Sequence, residues 1–562
     1  MNNFISLISK REKILLIVIF FGAFVVSIVE TLSLGSIAGF VMLISNPDIL
    51  VDKLPEGDLK QYLSSLEIQL FIFYFSIIII LLFVLKNIFI LGYSYFSMWI
   101  ERNILSNLSN KLLLIYLNQQ YLFHIKNNPS KLTNSIISET ARSVAFIFTY
   151  LNIIRLSKKI TKYINKGDRC LLISENRPEW MIADLSIMLS EGITVPAYTT
   201  YTERDYEYII DDCKPSIIFI SDSQQYEKIK DIIPKKDFIK KIIIFDPVCN
   251  LNTEFNLDEN KYFNLDIDEV LQEDEYTINN FSDLKIERKD LACIIYTSGT
   301  QGNPKGVMLS HGGILNNCEG ACELLKSIIS NQTKFLTWLP LSHSYEHTVQ
   351  FVQIAVGAKV YYAESIEKLI KNMSDCSPEI MTAVPRFYQN LYQKINSTFD
   401  KAEGFKKFLV NQTVNLGRKK LEKKPISLIE NFLNFMCEKL VRKKIKNQFG
   451  GNLKAFISGG GALDIEVGSF LNAIGLPTLQ GYGLTETSPV VSCNSIDEIK
   501  VETVGRPFKG NLVKIADDGE ILIKGENVML GYWKNEEETK KVLKNGWLYT
   551  GDIGEFDREF LK

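Results

Sequence analysis

The chain has 562 residues, too many for one ordinary domain, and this length predicts roughly two to four units with cores of their own. Its 63 basic and 65 acidic side chains give a formal charge of −2, which excludes the basic excess of a nucleic-acid-binding protein. Nine scattered cysteines with no C-x-x-C spacing argue against a disulfide framework or a structural zinc site, and read as free thiols in a reducing compartment.

The N-terminal quarter is strongly apolar. Residues 14–29 carry no charge, and the run continues past Glu30 to Ile44. A second run, IQLFIFYFSIIIILLFVL, opens at residue 68 and continues beyond Lys86. Each supplies the roughly 20 residues of a membrane-crossing helix, and the spans are placed near 14–44 and 68–97. Lys10, Arg11 and Lys13 precede the first span, acidic residues such as Asp48, Asp52 and Glu56 fill the intervening loop, and Arg102 and Lys111 follow the second. The positive-inside rule then predicts an all-α transmembrane hairpin with both ends, and the rest of the chain, on the cytoplasmic side. A further run at 144–154, VAFIFTYLNII, is too short to span. Two spans, a cytoplasmic helical excursion and the opening of a third span make residues 1–152 resemble the start of the membrane domain of an ABC-type exporter. The chain has no G-x-x-x-x-G-K-[ST] loop to drive such a transporter.

From residue 153 the character changes. IIRLSKKITKYIN at 153–165 predicts an amphipathic helix. CLLIS (170–174), SIIFIS (216–221) and KIIIFD (241–246) are short, β-branched runs that suit buried parallel strands. Helical patterns alternate with them, so residues 153–562 read as α/β. The stretch CIIYTSGTQGNPKGVMLSH (293–311) predicts a strand running into a Gly/Ser/Thr loop. Gly299, Gly302 and Gly306 let backbone N–H groups approach an anion, Thr297, Ser298 and Thr300 add hydroxyl donors, and Lys305 adds a positive charge for the β- and γ-phosphates. The apolar run after Lys305 predicts a helix with its N-terminus near the same anion.

The string YTSGTQGNPKG resembles the phosphate loop of the AMP-forming adenylate synthetases, which include the acyl-CoA synthetases. The resemblance extends over about 165–562. It implies an adenylate-forming core, layered αβαβα with a small β-barrel region, that uses ATP, Mg²⁺ and CoA. By matching position in QGYGLTET (480–487), it implies that Tyr482 stacks on adenine, with Gly483 beside it. Thr485 would bond phosphate oxygens, and Glu486 would be the Mg²⁺ ligand, a hard carboxylate for a hard cation. ISGGGALD (457–464) implies that Gly459, Gly460 and Gly461 leave room for the adenine ring, and WLYTGDIGEFD (547–557) that Asp552 accepts from the ribose hydroxyls. GENVMLGYW (525–533) matches a further family segment, read as structural. In LPLSHSYEH (339–347) the spacing of His343, Glu346 and His347 suggests a metal pair, but no third ligand is evident. The resemblance places His343 near the acyl carboxylate instead and leaves His347 structural.

Three features resemble the long-chain branch and imply a long-chain fatty acid as substrate: LPLSHSYEH, TAVPRFYQNLY (382–392), and a helical insert over roughly 395–447. Between 401 and 446 that insert holds 13 Lys or Arg against four Glu, a basic amphipathic composition suited to membrane lipid as well as to a plain solvated surface. Against the family pattern, the strands that precede KGDRCLLIS are replaced by the exporter-like segment, and the hinge and small C-terminal domain that follow Asp552 in the family are absent. Residues 153–562 are therefore expected to be an incomplete AMP-binding large domain. The alternative at this point is an inactive fusion or transporter fragment with a non-catalytic AMP-binding region.

Overall fold

In the computed structural model the described residues are 156–246, 285–297, 304–330 and 332–562, with the backbone of Tyr262–Asn264 and scattered positions before residue 156. The chain divides into two compact units, one of Met1–Lys159 with Leu265–Ser282, the other of Ile160–Asn264 with Asp283–Lys562. In the first unit the described positions between 76 and 107 are helical and carry exposed apolar side chains such as Ile80, Leu85, Ile88 and Leu91. Among the described residues no helix is long and apolar enough to cross a membrane. The spans expected near 14–44 and 68–97, the run at 144–154 and the exporter-like layout fall largely outside the described residues.

The second unit is built on two large sheets. The first contains β1 (Arg169–Ile173), β2 (Ile193–Ala197), β3 (Ile217–Ile220), β4 (Lys241–Ile244), β5 (Tyr262–Asn264), β6 (Leu291–Thr297) and β7 (Lys305–Ser310). Their order is β7-β6-β2-β1-β3-β4-β5, with Gly531–Tyr532 added outside β7. The strands from β6 to β5 run parallel, and β7 is antiparallel to β6. The three apolar runs expected to be buried parallel strands are β1, β3 and β4, apolar on both faces after the opening Arg169 of β1 and Lys241 of β4 because both faces of the sheet are covered. The second sheet contains β8 (Lys334–Thr337), β9 (Lys359–Tyr362), β10 (Ile380–Ala383), β11 (Ala455–Ser458), β12 (Thr478–Gly483), β13 (Val490–Cys493) and β14 (Arg506–Pro507), in the order β14-β13-β12-β11-β10-β8-β9.

Strand alternation assigns each sheet two core faces. On the outer face of the first sheet, Leu171, Ile173, Ile218 and Ile220 pack against Tyr206, Ile209 and Ile210 of the helix Glu203–Cys213. Its inner face, Cys293, Ile295, Val307 and Leu309, meets Ile314 and Cys318 of the helix His311–Leu325, Val352 of the helix Ser344–Ala355, and Val491 of β13. The outer face of the second sheet, Leu336, Met381 and Phe456, is covered by Tyr388, Leu391 and Phe470 from the helices Pro385–Asp400 and Ile465–Ala473. The layers therefore alternate helix, sheet, helix, sheet, helix, as expected. The anticipated small barrel is instead a four-stranded antiparallel sheet of Leu512–Ile515, Glu520–Lys524, Trp547–Ile553 and Leu543–Lys544, with no pairing between its outer strands among the described residues.

One local expectation is overturned. The run after Lys305 is not a helix but β7, paired with β6 from Thr297↔Lys305 to Leu291↔Ser310. Val307 and Leu309 face the core, and Trp533 N donates to the Gly306 carbonyl at 2.7 Å from the opposite edge. The helix begins only at His311, capped by Ser310 Oγ, which accepts from Gly313 N at 3.0 Å. Five extended steps put that helix N-terminus roughly 16 Å from Lys305, too far to share its anion.

Candidate functional site

Lys305 opens β7 opposite Thr297, the last residue of β6. Thr297 Oγ1 lies 3.5 Å from the Lys305 carbonyl oxygen, at the limit of a hydrogen bond. Ser298, Gly299, Thr300 and Gly302 lie outside the described residues. The Lys305 ammonium pairs with Glu538 at 2.6 Å, and this bond holds the Glu538 carboxyl down to about 2. Lys305 Nζ also stands 5.3 Å from the centroid of the Tyr532 ring. The Tyr532 hydroxyl in turn donates to Glu486 Oε1 at 2.8 Å. Burial, and then the Glu486 carboxylate, raise the Tyr532 phenol, so it stays a donor. Lysine, tyrosine and carboxylate thus form one row.

Thr485 and Glu486 sit in a single 3₁₀ turn, Thr485–Thr487, just after β12. Thr485 Oγ1 is 3.1 Å from Ser344 Oγ at the start of the helix Ser344–Ala355. Glu486 is fixed from both sides, because its carbonyl accepts from Met529 N at 2.8 Å. Only Oε1 is engaged by a side chain among the described residues, so a half-buried carboxylate oxygen remains to meet a hard cation. Tyr482 and Asp552, 70 positions apart, are joined directly: the phenol donates to Asp552 Oδ2 at 2.8 Å. The aromatic face and the carboxylate expected at adenine and ribose therefore stand side by side.

Close packing explains two of the glycines, while Gly460 and Gly461 leave room, the nearest atoms to an added Cβ lying at 3.6 Å. A Cβ on Gly459 would lie 2.9 Å from the Tyr345 ring, so the space it leaves is filled by that ring. A Cβ on Gly483 would fall 1.9 Å from the Pro489 carbonyl oxygen, so only glycine lets β12 pass there. Gly460 adopts a φ of +75°, in the left-handed region.

His343 caps the helix Ser344–Ala355, its Nδ1 accepting from Tyr345 N at 3.2 Å. That bond assigns the proton of the neutral ring to Nε2, and burial depresses the imidazole so that it remains neutral. The metal option for this segment fails on geometry. Glu346 accepts from Thr382 Oγ1 at 2.6 Å, while His347 Nε2 is 2.8 Å from the buried Asp184 and edge-on to Trp180. Among the described residues no cluster of metal-ligating side chains is found. Asn176, just after β1, holds the same segment: its amide donates to the Leu339 carbonyl at 2.7 Å and accepts from Leu341 N at 3.0 Å.

Several of these residues line a cleft of about 780 Å³, a figure that includes the solvent at its open mouth. His343, Ser344, Ser458, Gly459, Gly460, Tyr482, Gly483 and Thr485 line its polar part. Ala321, Leu324, Leu325, Phe335, Val352 and Phe508 line the rest. Ser458 Oγ is buried with no hydrogen-bond partner among the described residues, an unmet polar atom in the wall. Lys305, Glu486, Asp552 and Gly461 are outside this lining; Glu486 follows Thr485, and Asp552 is bonded to Tyr482. No motif singles out Glu538, Ser344, Tyr345 or the part played by Tyr532 in the sequence. The segment 525–533 is structural, as expected, but its last strand pairs with β7, and that pairing carries Tyr532 to Glu486.

Five alternating layers with a polar-to-apolar cleft on the second sheet define an α/β adenylate-forming fold. A model of the AMP-binding enzyme family matches residues 150–533, more than half of the chain, and the chain belongs to that family. Among its relatives, the long-chain-fatty-acid–CoA ligase FadD15 of Mycobacterium bovis is 27% identical over 397 residues, which is 70% of this chain and 64% of that protein. Fatty acyl-CoA synthetase A of Dictyostelium discoideum is 31% identical over 413 residues, 70% of this chain and 60% of that protein. The chain thus spans less than two thirds of the length of these relatives. The crystal structure of ATP-bound MatB from Rhodopseudomonas palustris aligns with a TM-score of 0.55 at 21% identity, over 74% of this chain and 72% of that one. O-succinylbenzoate coenzyme A synthetase (MenE) from Bacillus subtilis in complex with AMP aligns at 0.52 and 19% identity, over 74% and 90%. These two likenesses concern the fold.

Proposed function

We propose that this chain activates a long-chain fatty acid with ATP, forming an acyl-adenylate that is then passed to CoA. The observation that carries this reading is the composition of the cleft, which joins His343, Ser344 and Thr485 to an apolar wall of Leu324, Leu325, Phe335 and Phe508. An apolar tail and a reactive carboxylate need that pairing of surfaces. The names of the relatives point to the same substrate class.

In this reading a carboxylate oxygen of the fatty acid attacks the α-phosphorus, the bond to the bridging oxygen breaks, and pyrophosphate leaves. The thiol of CoA then loses its proton to solvent and attacks the acyl carbonyl, and AMP departs with the carboxylate oxygen it acquired. A carboxylate is already a nucleophile, so the protein's part is to position groups and offset charge. His343, with its proton on Nε2, donates to an acyl oxygen. Thr485 Oγ1, oriented by Ser344, donates to a phosphate oxygen. Tyr482 and Asp552 hold the nucleoside, and the unpartnered Ser458 hydroxyl meets a polar atom of the ligand. Lys305 exchanges Glu538 for phosphate. A Mg²⁺ ion at Glu486 supplies neutralisation of phosphate charge. We also propose, on hydropathy alone, that residues 1–152 tether the unit to a membrane with the cleft on the cytoplasmic side.

The test is fatty-acid-dependent exchange of pyrophosphate into ATP by the full chain in membranes, beside Lys305→Ala. Exchange that requires a long-chain acid and falls roughly 100-fold or more in the variant is expected. Saturable Mg-ATP binding without exchange for any acid would replace this reading with one of nucleotide binding alone.

A further inference from the structure

The helix Leu428–Cys437 is amphipathic the wrong way round. It buries Asn434 and Cys437 and turns its large apolar side chains outward. Leu428 is 89% exposed, Phe432 65% and Phe435 55%, and Ile429 lies beside them. Positions 428, 432 and 435 follow helical spacing and form one stripe. The inversion is fixed in place. Ser427 and Glu430 form a capping box at the N-terminus, and the buried Asn434 accepts from Arg442 Nη1 at 2.9 Å. Cys437 Sγ donates to the Leu409 carbonyl at 3.6 Å, which ties this helix to the helix Gly404–Leu421, itself carrying the exposed Phe405 and Phe408. An outward row of this kind asks for an apolar partner.

Charge says which partner. Residues 401–446 carry 13 Lys or Arg and four Glu, a net of 13 − 4 = +9. The whole chain has 63 basic and 65 acidic side chains, so the remainder has 63 − 13 = 50 against 65 − 4 = 61, a net of −11. Lys406, Lys420, Lys439, Lys443 and Lys444 are exposed and make no ion pair among the described residues. Lys439 Nζ lies 4.5 Å from the centroid of the Phe435 ring, so cation and aromatic share one surface. Phenylalanines at acyl depth with lysines at the level of phosphate is the arrangement of an interfacial helix. A second copy of this face would bring two such positive fields together.

We propose that the outward face of the helix Leu428–Cys437, with the lysines around it, docks on an anionic lipid bilayer. The inference stands apart from the tether proposed for residues 1–152, because it concerns the local environment of this helix in a chain anchored or not. The probe is Phe432→Trp in the full chain, mixed with vesicles that carry brominated acyl chains, and read as the difference from the parent protein with its five tryptophans. Vesicles rich in phosphatidylglycerol should quench the added fluorescence roughly twofold, and quenching should fade in raised salt and in the combined Lys420→Glu, Lys439→Glu, Lys443→Glu, Lys444→Glu variant. Ile429→Trp, on the same exposed face, repeats the measurement at a second site. Equal quenching by phosphatidylcholine vesicles, or no quenching by either, overturns the proposal. A blue shift of the added tryptophan that grows with protein concentration without lipid also overturns it, and assigns the face to a second copy.

Discussion

Glu346 and His343 are three positions apart and titrate in opposite senses. Burial pushes the Glu346 carboxyl up to about 7, so the folded chain holds that proton more tightly than the unfolded one, whose carboxyl titrates near 4.3. Its contribution is complete below about 4.3 and is lost as pH rises through about 7. Glu346→Gln keeps an acceptor for Thr382 and removes the titration. Between roughly pH 5 and pH 8 the parent should lose on the order of 2 kcal/mol more stability than the variant, measured by urea denaturation. Parallel curves would show that Glu346 does not titrate in that window. His343 is depressed by burial, so its contribution is present above about 6.5 and is lost as pH falls through its folded value. His343→Ala should lower acid-dependent exchange roughly 100-fold while Mg-ATP binding, followed by calorimetry, stays near that of the parent.

Between elements, the contact with most consequence joins the first residue of β7 to the short helix Glu536–Val542 through Lys305 and Glu538. Phosphate must displace this carboxylate to reach the lysine. Glu538→Gln is therefore expected to tighten Mg-ATP binding roughly two- to fivefold in a calorimetric titration, and unchanged or weaker binding would mean that Glu538 orients Lys305. On the other side of the cleft, Ala321 of the helix His311–Leu325 stands in the apolar wall. Ala321→Phe should shift exchange toward shorter acids, read as a reordering of kcat/KM across a chain-length series. The strands β1, β3 and β4 were legible because parallel strands covered on both faces read as continuous apolar runs. β7 was not, since Val307, Met308 and Leu309 are too few to show a period, and only pairing with β6 and Trp533 settles them. Lys305 was legible from its loop. Glu538 was not, because it lies 233 positions away in a segment whose three glutamates look like an ordinary helix start.

At the scale of the whole molecule, the sequence announced the change near residue 153 and the basic insert, because both are matters of composition. It could not announce how the sheets are joined, which depends on single polar atoms. One junction is Asp184 with His347, both buried, linking the helix Pro178–Leu189 to the helix Ser344–Ala355. Asp184→Ala should destabilise the second unit by roughly 2 kcal/mol, seen as an earlier thermal transition. The other is Asn176, whose side-chain amide donates to one peptide and accepts from another as a backbone peptide would. Such a double bond needs both an NH₂ and an oxygen, and therefore an amide. Slow hydrolysis of that amide to a carboxylate, the ordinary chemical ageing of asparagine, would set an oxygen against the Leu339 carbonyl oxygen and turn one clamp bond into repulsion. The loop leading to His343 would then loosen without any change in the encoded sequence, so the age of a preparation would register in its activity before it registered in its fold.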